Sequence, residues 1–321
     1  MQTGRPRGVG PPTISGMDER LRQRAAIVAL LRLPKISWPE IAASAIERGD
    51  AVGLLAERLD DDGALFTLDA TAETLLDSAA ADLAHWEADG IGVHACVDDS
   101  YPEQLRDIHQ VPPIVFTRGQ LAADRRAVAV VGTRQPTPEG ISTAEIIAQS
   151  LATAGVTVVS GLAAGIDTAA HTAALEAGGR TVAVIGTGIN RSYPAGNAQL
   201  QRRITAQGLV LSQFWPDAPP TKTSFPMRNA VMSGYAAATI VVEAAYRSGA
   251  RMQARLALEH GRPVVLPRHL LAHDWARDYA QRPGVHVVDD IDDLLATVEG
   301  LTAQMVPGPE ALRGLAHLTT T

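Results

Sequence analysis

The sequence predicts an α/β fold in which a small α-helical domain precedes a doubly wound, mainly parallel sheet. From residue 127 onward short apolar runs alternate with longer helical patterns, which is typical of βαβ units. The runs are almost wholly apolar, as expected for strands buried on both faces. The first hundred residues show helical periodicity instead, so the sheet belongs to the later part of the chain.

The organisation of the chain follows from where these patterns change. Residues 1–16 are rich in Gly, Pro and Arg and predict a disordered tail, and residues 17–100 form the small helical N-terminal domain. Residues 101–300 form the sheet domain, and residues 301–321 are expected to be a C-terminal tail. Helices of the N-terminal domain are predicted at residues 17–32, 38–48, 50–59 and 70–89.

Strands and helices alternate through the sheet domain. Strands are predicted at residues 113–117, 127–131, 156–160, 181–185, 209–211, 239–242, 263–266 and 285–288. Helices are predicted at residues 139–154, 167–177, 198–207, 250–260 and 290–298. Because crossovers between parallel strands are right-handed, this order predicts a doubly wound sheet.

The charge of the chain argues against binding to nucleic acid through bulk charge alone. Its 28 Lys and Arg and 35 Asp and Glu give a formal net charge of −7. Residues 1–100 hold 9 basic and 17 acidic residues, whereas residues 101–321 hold 19 and 18. The sheet domain is therefore close to neutral, and an anion site within it must concentrate its cations locally.

Composition also argues against several other classes. A single cysteine, Cys96, cannot form an internal disulfide, and no Cys/His cluster indicates zinc, so no metal and no cofactor are expected. The chain has no run of about 18 apolar residues and no signal-like N-terminus, so a cytoplasmic protein without membrane function is expected.

Three consecutive predicted strands end in turns that contain glycine. The residues concerned are Gly132, Thr133 and Arg134, then Ser160 and Gly161, then Gly186, Thr187 and Gly188. In a parallel sheet these turns share the carboxyl edge, where open α/β folds bind ligands. Glycine lets a backbone approach a phosphate, so the series predicts a site for an anionic ligand. The spacing matches neither the dinucleotide fingerprint nor a phosphate-binding P-loop.

A polar segment follows at residues 221–229, between a strand and a helix. It places Lys222 and Arg228 beside Phe225 and Asn229. Cations for phosphates and a ring on which a base can stack suit a single nucleic-acid strand. The alternative is a polar loop whose Phe225 fills the core.

A carboxylate stands at the end of a later strand, ahead of a helix that begins at Ser248-Gly249. Glu243 has two interpretations: it accepts a hydrogen bond from a base or a ribose hydroxyl, or it holds Arg228 or Arg247 in a structural ion pair.

Asp167 and His171 lie four residues apart on one predicted helix face, a spacing that brings two side chains together. Without a third ligand or a nucleophile they do not make a metal or acid/base site. Asp167 is predicted to cap the first turn, and His171 to be a packed helix residue.

The chain resembles a divergent member of the DNA-processing protein A family, also called DprA or Smf, over residues 100–268. The motifs that carry the resemblance are Tyr101-Pro102, Gly132-Thr133-Arg134, Ser160-Gly161, Gly165-Ile166-Asp167, Gly186-Thr187-Gly188, Tyr193-Pro194, Phe225–Asn229, Val242-Glu243-Ala244 and Ser248-Gly249. The chain departs from the family pattern where Ala230 replaces a second arginine and where Pro267-Arg268 replaces a proline-glycine turn.

The resemblance implies an extended Rossmann-like core that binds single-stranded DNA as a homodimer, without catalysis. It also implies that the protein loads RecA during natural transformation and recombination. The DNA-binding residues that it implies are Arg134, Lys222, Phe225, Arg228 and Asn229. The pocket and phosphate-binding residues would be Gly132, Thr133, Ser160, Gly161, Gly186, Thr187, Gly188, Glu243, Ser248 and Gly249.

A second hypothesis assigns the same edge to a nucleotide. Related Rossmann-like proteins include sensors of nucleotide-derived signals and nucleotide phosphoribohydrolases, and Glu243 with three glycine turns would suit such a pocket. The Pro-Gly-Gly-x-Gly-Thr-x-x-Glu motif of the hydrolases is missing from this sequence. The sensor is therefore the stronger form of this alternative.

Overall fold

A computed structural model describes residues 18–61, 71–245 and 248–304 of the chain. The predicted tail at residues 1–16 lies outside these ranges, as do residues 305–321 of the predicted C-terminal tail, whereas residues 301–304 complete a helix. The chain divides into two compact units. The first comprises residues 1–101 and 112–114, and the second comprises residues 102–111 and 115–321.

The first unit is built from alanine-rich helices and one short strand. Its elements are α1 (Glu19–Leu30), α2 (Trp38–Arg48), α3 (Ala51–Asp61), α4 (Ala72–Ala88) and β1 (Gly92–Ala95). Helix α1 is central because every residue from Ala25 to Leu30 is buried, and it packs against α3 and α4. Small alanine side chains allow this close approach of helices. The partly buried Arg24 donates to the buried carboxylate of Asp98 at 2.8 Å, which ties α1 to the turn after β1.

The second unit alternates strands with helices. Its strands are β2 (Ile114–Gly119), β3 (Ala127–Val131), β4 (Thr157–Ser160), β5 (Thr181–Val184), β6 (Leu209–Ser212), β7 (Ala238–Val241), β8 (Val264–Pro267) and β9 (Val285–Val288). Its α-helices are α5 (Pro138–Thr153), α6 (Ile166–Glu176), α7 (Ala198–Gln207), α8 (Ser224–Tyr235), α9 (Gly249–Glu259), α10 (Asp274–Ala280) and α11 (Ile291–Gln304).

These strands follow the order β2-β6-β5-β4-β3-β7-β8-β9. All neighbours from β6 to β9 are parallel, and β2 pairs antiparallel with β6. The chain moves from β3 outward to β6 and then crosses back to β7 on the other side of β3. That reversal is the feature of doubly wound folds that creates a crevice at the carboxyl edge.

The core lies between the sheet and the helices. Strands β3 to β8 are buried along their whole length, as their unbroken apolar composition predicts. Residues of α5, α6 and α11 share one buried cluster with alternate residues of β3 and β7, such as Val130 and Ile240. Helices α8 and α9 pack on each other, and α9 contacts β7 and β8.

The predicted fold is confirmed, and its errors are local. Strands β3 and β9 and helix α7 have the predicted bounds, and the other predicted elements of this unit differ mainly by a few residues at their ends. The prediction of a polar loop at residues 221–229 is wrong because α8 begins at Ser224. Pro226 does not prevent this helix, because proline is tolerated in a first helical turn, where its missing N–H has no helical partner to lose.

A buried hydrogen-bond network joins the amino ends of three strands to the end of α8. The carboxylate of Asp124, just before β3, accepts from Arg180 Nε at 2.7 Å and from Thr157 Oγ1 at 2.9 Å. It also accepts from the Tyr235 hydroxyl at 2.6 Å. Burial and the neighbouring Asp124 charge raise the pKa of Tyr235 well above its usual value, so the hydroxyl stays a donor. The network holds the C-terminal end of α8 at the amino edge of the strands, opposite to the edge that carries the glycine turns.

No described residues form a helix with the length and apolar character needed to cross a membrane.

We expect the Asp124 network to show graded losses of stability. Asp124→Ala leaves the partly buried Arg180 guanidinium without its carboxylate and should lower the free energy of unfolding by about 3–5 kcal/mol. Tyr235→Phe removes one bond to a charged group and should cost about 1.5–3 kcal/mol. Urea unfolding followed by circular dichroism measures both, with Tyr279→Phe as a control at another buried tyrosine. Equal losses for Asp124→Ala and Tyr279→Phe would contradict this role.

Candidate functional site

Two adjacent cavities open at the carboxyl edge of the parallel strands. The larger, of about 560 Å³, lies beyond the ends of β3 and β7 and is named here the β3/β7 cavity. The smaller, of about 190 Å³, lies beyond β4 and β5 and is named the β4/β5 cavity. Both are bordered by Arg134, Ala163, Phe225 and Arg228. The two cavities therefore share a wall that carries an aromatic ring and two guanidinium groups.

Phe225 forms the aromatic part of the shared wall. The ring is half-buried in the first turn of α8, and the Arg134 guanidinium carbon lies 5.3 Å from its centroid. The exposed ring of Tyr193, which borders the β4/β5 cavity, has its centroid 5.5 Å from that of the Phe225 ring. A side chain at Gly186 would place its Cβ 2.9 Å from the Phe225 ring, so glycine is needed for this approach.

The segment before α8 is held by reciprocal hydrogen bonds. The Thr221 N–H donates to Ser224 Oγ at 3.1 Å, and the Ser224 N–H donates to Thr221 Oγ1 at 3.0 Å. Ser224 Oγ donates in turn to the Gly186 carbonyl at 2.6 Å. Lys222 lies within this hydrogen-bonded turn and is exposed. It precedes Phe225 by three residues in the chain, but it borders neither cavity.

Arg228 is a buried cation rather than an exposed one. Its side chain is bonded to the Val184 carbonyl through Nη1 at 2.8 Å and to Asn229 Oδ1 through Nε at 3.0 Å. A Cβ on Gly161 would lie only 1.7 Å from Nη1, so only glycine allows the guanidinium to pass. Burial lowers the pKa of Arg228, and the charge of Asp167 opposes that shift. Arg228 nevertheless borders both cavities, and its predicted contact with DNA stays a prediction.

Asp167 holds the glycine turn after β4. Its buried carboxylate accepts from the N–H groups of Gly161 at 3.1 Å and Ala163 at 3.2 Å. Burial raises its pKa, and the Arg228 charge opposes the shift. Asp167 was expected to cap its own helix, but it organises the preceding turn instead, because that turn folds back over the start of α6.

Three of the backbone N–H groups that the glycine turns were predicted to offer to a phosphate are already bonded within the protein. The Gly161 N–H is bonded to Asp167, the Thr133 N–H donates to the Glu243 carbonyl at 2.7 Å, and the Gly188 N–H donates to the Ala218 carbonyl at 2.9 Å. These three amide groups are satisfied within the protein. Side chains on the shared wall, rather than these amides, are left to contact an anion.

His171 lies buried beneath the same turn. Its Nδ1 is 2.7 Å from Thr181 Oγ1, and that hydroxyl donates its hydrogen to the Val158 carbonyl at 2.7 Å. Thr181 can therefore only accept from His171, which makes Nδ1 the protonated nitrogen of a neutral ring. Burial, helped by the Arg228 charge, lowers the pKa of His171 to about 3. This geometry agrees with the prediction of a packed helix residue.

Among the described residues Glu243 is paired with Thr137 and not with Arg228, while Arg247 lies outside the described residues and the predicted hydrogen bond to a ligand stays a prediction. The Glu243 carboxylate accepts from the Thr137 N–H at 3.1 Å and from Thr137 Oγ1 at 3.0 Å, at the start of α5. A negative charge at a helix N-terminus is stabilised by the helix dipole. Glu243 thus joins the end of β7 to α5 and lies on neither cavity wall.

The other predicted site residues divide between the two cavities. Those on the β3/β7 cavity are Gly132, Thr133, Asn229, Ser248 and Gly249. Those on the β4/β5 cavity are Gly161, Gly186 and Thr187. Ser160 and Gly188 lie on neither cavity, and the Ser160 hydroxyl donates to the Val130 carbonyl at 2.7 Å.

Several wall residues were absent from the predicted site. Tyr193 follows the third glycine turn, and its position in a polar segment next to Pro194 was a usable signal for an exposed ring. Met232 and Met252 border the β3/β7 cavity, but methionines at helical spacing in sequence indicate core packing just as well.

The model of one protein family, DNA recombination-mediator protein A, matches residues 93–299. Protein Smf of Synechocystis is 42% identical over 174 residues, which are 52% of this chain and 43% of that protein. DNA processing protein DprA of Streptococcus pneumoniae is 41% identical over 207 residues, 63% of this chain and 73% of its own length. The matched stretch thus spans less than half of the first relative.

Two solved structures have the same fold. The X-ray structure of DNA processing protein A from S. pneumoniae aligns with a TM-score of 0.68 and 31% identity, covering 85% of this chain and 97% of that one. A structure from Helicobacter pylori, described as revealing a single-stranded DNA binding mode of DNA processing protein A, aligns with a TM-score of 0.59 and 25% identity. It covers 65% of this chain and 96% of that one.

A doubly wound sheet with cavities at the carboxyl edge of its strands is a Rossmann-like fold. The family match covers more than half of the chain, and this protein belongs to the DNA recombination-mediator protein A family, as its motifs indicated.

The buried neutral histidine predicts a measurable pH dependence of stability. Below about pH 6.5 the unfolded chain protonates His171, whereas the folded chain keeps it neutral to about pH 3, so stability falls as pH falls through this window. Asp167, whose pKa is raised in the folded protein, makes stability rise as pH falls, and it does so in the parent protein and in the variant alike. Between pH 6 and 4, His171→Gln should therefore lose about 1.4 kcal/mol less per pH unit than the parent protein.

Denaturant titrations at several pH values measure these slopes. His85→Gln alters an exposed histidine and should keep the slope of the parent protein. Identical slopes for the parent protein and His171→Gln would show that His171 takes up its proton in the folded state.

Proposed function

We propose that this chain binds single-stranded DNA along the carboxyl edge of its sheet, and that it acts by binding rather than by catalysis. The observation that carries the proposal is the cluster that the half-buried Phe225 ring forms with the Arg134 guanidinium, 5.3 Å from its centroid, and with the Tyr193 ring, 5.5 Å from it. The relative from S. pneumoniae is named a DNA processing protein, and the H. pylori structure is described in terms of single-stranded DNA binding.

The chemistry of this wall suits an unpaired strand. A base can stack on an aromatic ring whatever its identity, and such a contact is worth about 1–3 kcal/mol. Arg134 and Lys222 are exposed and are the cations that we assign to phosphates: Arg134 borders both cavities, and Lys222 lies three residues before Phe225 in the chain. Duplex bases are already stacked on each other, so the exposed rings of this edge favour a strand whose bases are free.

The polar groups beneath the wall support a binding role without chemistry. Asp167 is bonded to two backbone N–H groups, and His171 is bonded to Thr181 with no access to the surface. Ser248, which borders the β3/β7 cavity, has its hydroxyl in the cap of α9, where it accepts from the Arg251 N–H at 3.3 Å. The residues that border the cavities are suited to hold a ligand.

The charge and the ring make separable contributions to binding. Lys222→Ala should reduce the dependence of log affinity on log salt by about 0.7, the value for one phosphate contact with a single strand. Phe225→Leu keeps an apolar group on the wall but removes the stacking surface, and it should weaken binding about tenfold at every salt concentration. Fluorescence anisotropy with a labelled oligothymidine measures both quantities.

The exposed Arg202 on α7 supplies the control, because Arg202→Ala also removes one positive charge but lies on neither cavity. The proposal fails if Lys222→Ala and Phe225→Leu bind the oligonucleotide as the parent protein does while their melting temperatures are unchanged.

We further propose that the chain works as a homodimer and passes its bound strand to RecA during natural transformation and recombination, as the family resemblance implies. Sedimentation equilibrium should then give twice the mass of one chain at micromolar concentration. Addition of the protein should speed RecA filament assembly on DNA covered by single-strand-binding protein, and Phe225→Leu should not. A sedimentation mass of one chain, or equal acceleration of filament assembly by Phe225→Leu and the parent protein, would contradict this second proposal.

A further inference from the structure

Asn197 is a buried polar residue that the contacts proposed so far do not use. It ends a single 3₁₀ turn, Ala195–Asn197, which joins the segment that carries Tyr193 to α7. The residue is only 9% exposed, and it borders neither cavity. A buried side-chain amide is costly unless its hydrogen bonds are made, so its partners show which part of the molecule it holds.

The partners of Asn197 lie on the glycine turn after β4 and in the first turn of α6. Its Nδ2 group donates to the Leu162 carbonyl and to Thr168 Oγ1, both at 2.9 Å. It also donates to the Ala163 carbonyl at 3.3 Å. The Thr168 hydroxyl donates its own hydrogen to the Ala163 carbonyl at 2.8 Å, so its oxygen can only accept from Asn197.

The turn after β4 is thereby held from two sides. Leu162 is fully buried with a φ of +57°, in the left-handed region that is unfavourable for a residue with a side chain. The carboxylate of Asp167 accepts from two N–H groups of the turn. The amide nitrogen of Asn197 donates to two of its carbonyl groups. Because opposite backbone groups are satisfied by two buried side chains, the turn is a fixed support for whatever is attached to it.

Tyr193 is attached to this support through Asn197. It precedes Asn197 by four residues, and the Asn197 N–H donates to the Pro194 carbonyl at 3.0 Å, which closes the turn between them. The Tyr193 ring is 45% exposed, and its centroid lies 5.5 Å from that of the Phe225 ring. Since so much of the ring is in solvent, its position beside Phe225 depends on where its backbone is held.

We propose that Asn197 is a positioning residue for DNA binding, which fixes the backbone that carries Tyr193 to the turn after β4 and so keeps the Tyr193 ring beside Phe225. The inference rests on the proposed function, in which these rings contact a single strand. Asn197 acts through Tyr193 and contacts no DNA itself, because it is buried and borders neither cavity. The donor amide is the part that matters, since every partner of Nδ2 is an acceptor.

Asn197→Asp separates the donor group from the shape of the side chain. The two side chains are nearly equal in size, but an ionised carboxylate only accepts, and here it would face three oxygen atoms. Burial beside acceptors raises the pKa of the introduced carboxyl, and its protonated form donates one hydrogen. Relative to the parent protein, Asn197→Asp should bind a labelled oligothymidine about tenfold more weakly at about pH 8, and the difference should shrink at about pH 5.5.

A double-mutant cycle tests whether Asn197 acts through Tyr193. Tyr193→Ala should weaken binding about tenfold, because it removes one stacking surface. If Asn197 acts by positioning this ring, Asn197→Asp should change the affinity of Tyr193→Ala by less than about twofold. An effect of the added charge, or of general destabilisation, would instead persist in the Tyr193→Ala background.

A spectroscopic signal reports the position of the ring without any ligand. 3-Fluorotyrosine incorporated at Tyr193 has a fluorine resonance that depends on the ring current of Phe225. Asn197→Asp should shift this resonance towards the value found with Phe225→Leu, which removes the ring current itself. The shift identifies a displaced ring, which a loss of stability alone does not produce.

Thr168→Val provides a second variant and Thr157→Val its matched control. Thr168→Val removes one partner of Asn197 with little change in size, so it should shift the fluorine resonance in the same direction by a smaller amount. Thr157→Val removes another buried threonine hydroxyl, which donates to Asp124 at the amino edge of the strands. It should leave both the resonance and the affinity as in the parent protein.

The outcomes distinguish this inference from the proposed function. If Asn197→Asp does not fold, the resonance of Thr168→Val decides the question. The inference is overturned if the decisive variant leaves the resonance unchanged, if Tyr193→Ala binds as the parent protein does, or if Asn197→Asp weakens binding equally with and without Tyr193. In each case the proposed function stands as long as Phe225→Leu weakens binding. If Phe225→Leu and Tyr193→Ala both bind as the parent protein does, the proposed function fails as well.

Discussion

The burial of one guanidinium group organises the edge of the sheet on which the site depends. A buried cation is costly unless its hydrogen bonds are made and an opposite charge is near. Arg228 meets this requirement through the Val184 carbonyl, the Asn229 side chain and the charge of Asp167. Because Arg228 lies one turn into α8, its fixed position also determines where α8 begins. Phe225, three residues earlier, is thereby brought to the surface beside the glycine turn after β5.

The fold could be predicted from the sequence because buried parallel strands leave a strong pattern. The apolar runs at β3 and β9 and the helix α7 had the bounds that their composition indicated, since each is ended by glycine or by polar residues. Helix α8 was missed for a physical reason. Hydroxyl groups and Pro226 favour a loop by propensity, whereas packing of Val231, Met232 and Tyr235 in the core makes the segment helical.

The site could be predicted only as far as its location. Residues at strand ends must gather at one edge, so Gly132, Gly161 and Gly186 indicated the edge at which the two cavities open. Which atoms face a ligand depends on long-range partners that no local pattern reveals. The Gly161 N–H donates to Asp167, and Glu243 accepts from Thr137, which lies 106 residues earlier in the chain. Of the three basic residues in the predicted site, Arg134 and Lys222 are exposed and Arg228 is buried.

The reciprocal bonds between Thr221 and Ser224 have a consequence for the thermodynamics of recognition. A flexible basic loop loses backbone entropy when it closes on a phosphate, and this loss subtracts from its affinity. Here the backbone around Lys222 is already fixed by three hydrogen bonds, two within the turn and one to Gly186. Only the lysine side chain remains to be ordered. The phosphate contact proposed for Lys222 would therefore cost less conformational entropy than the same contact made from a flexible segment.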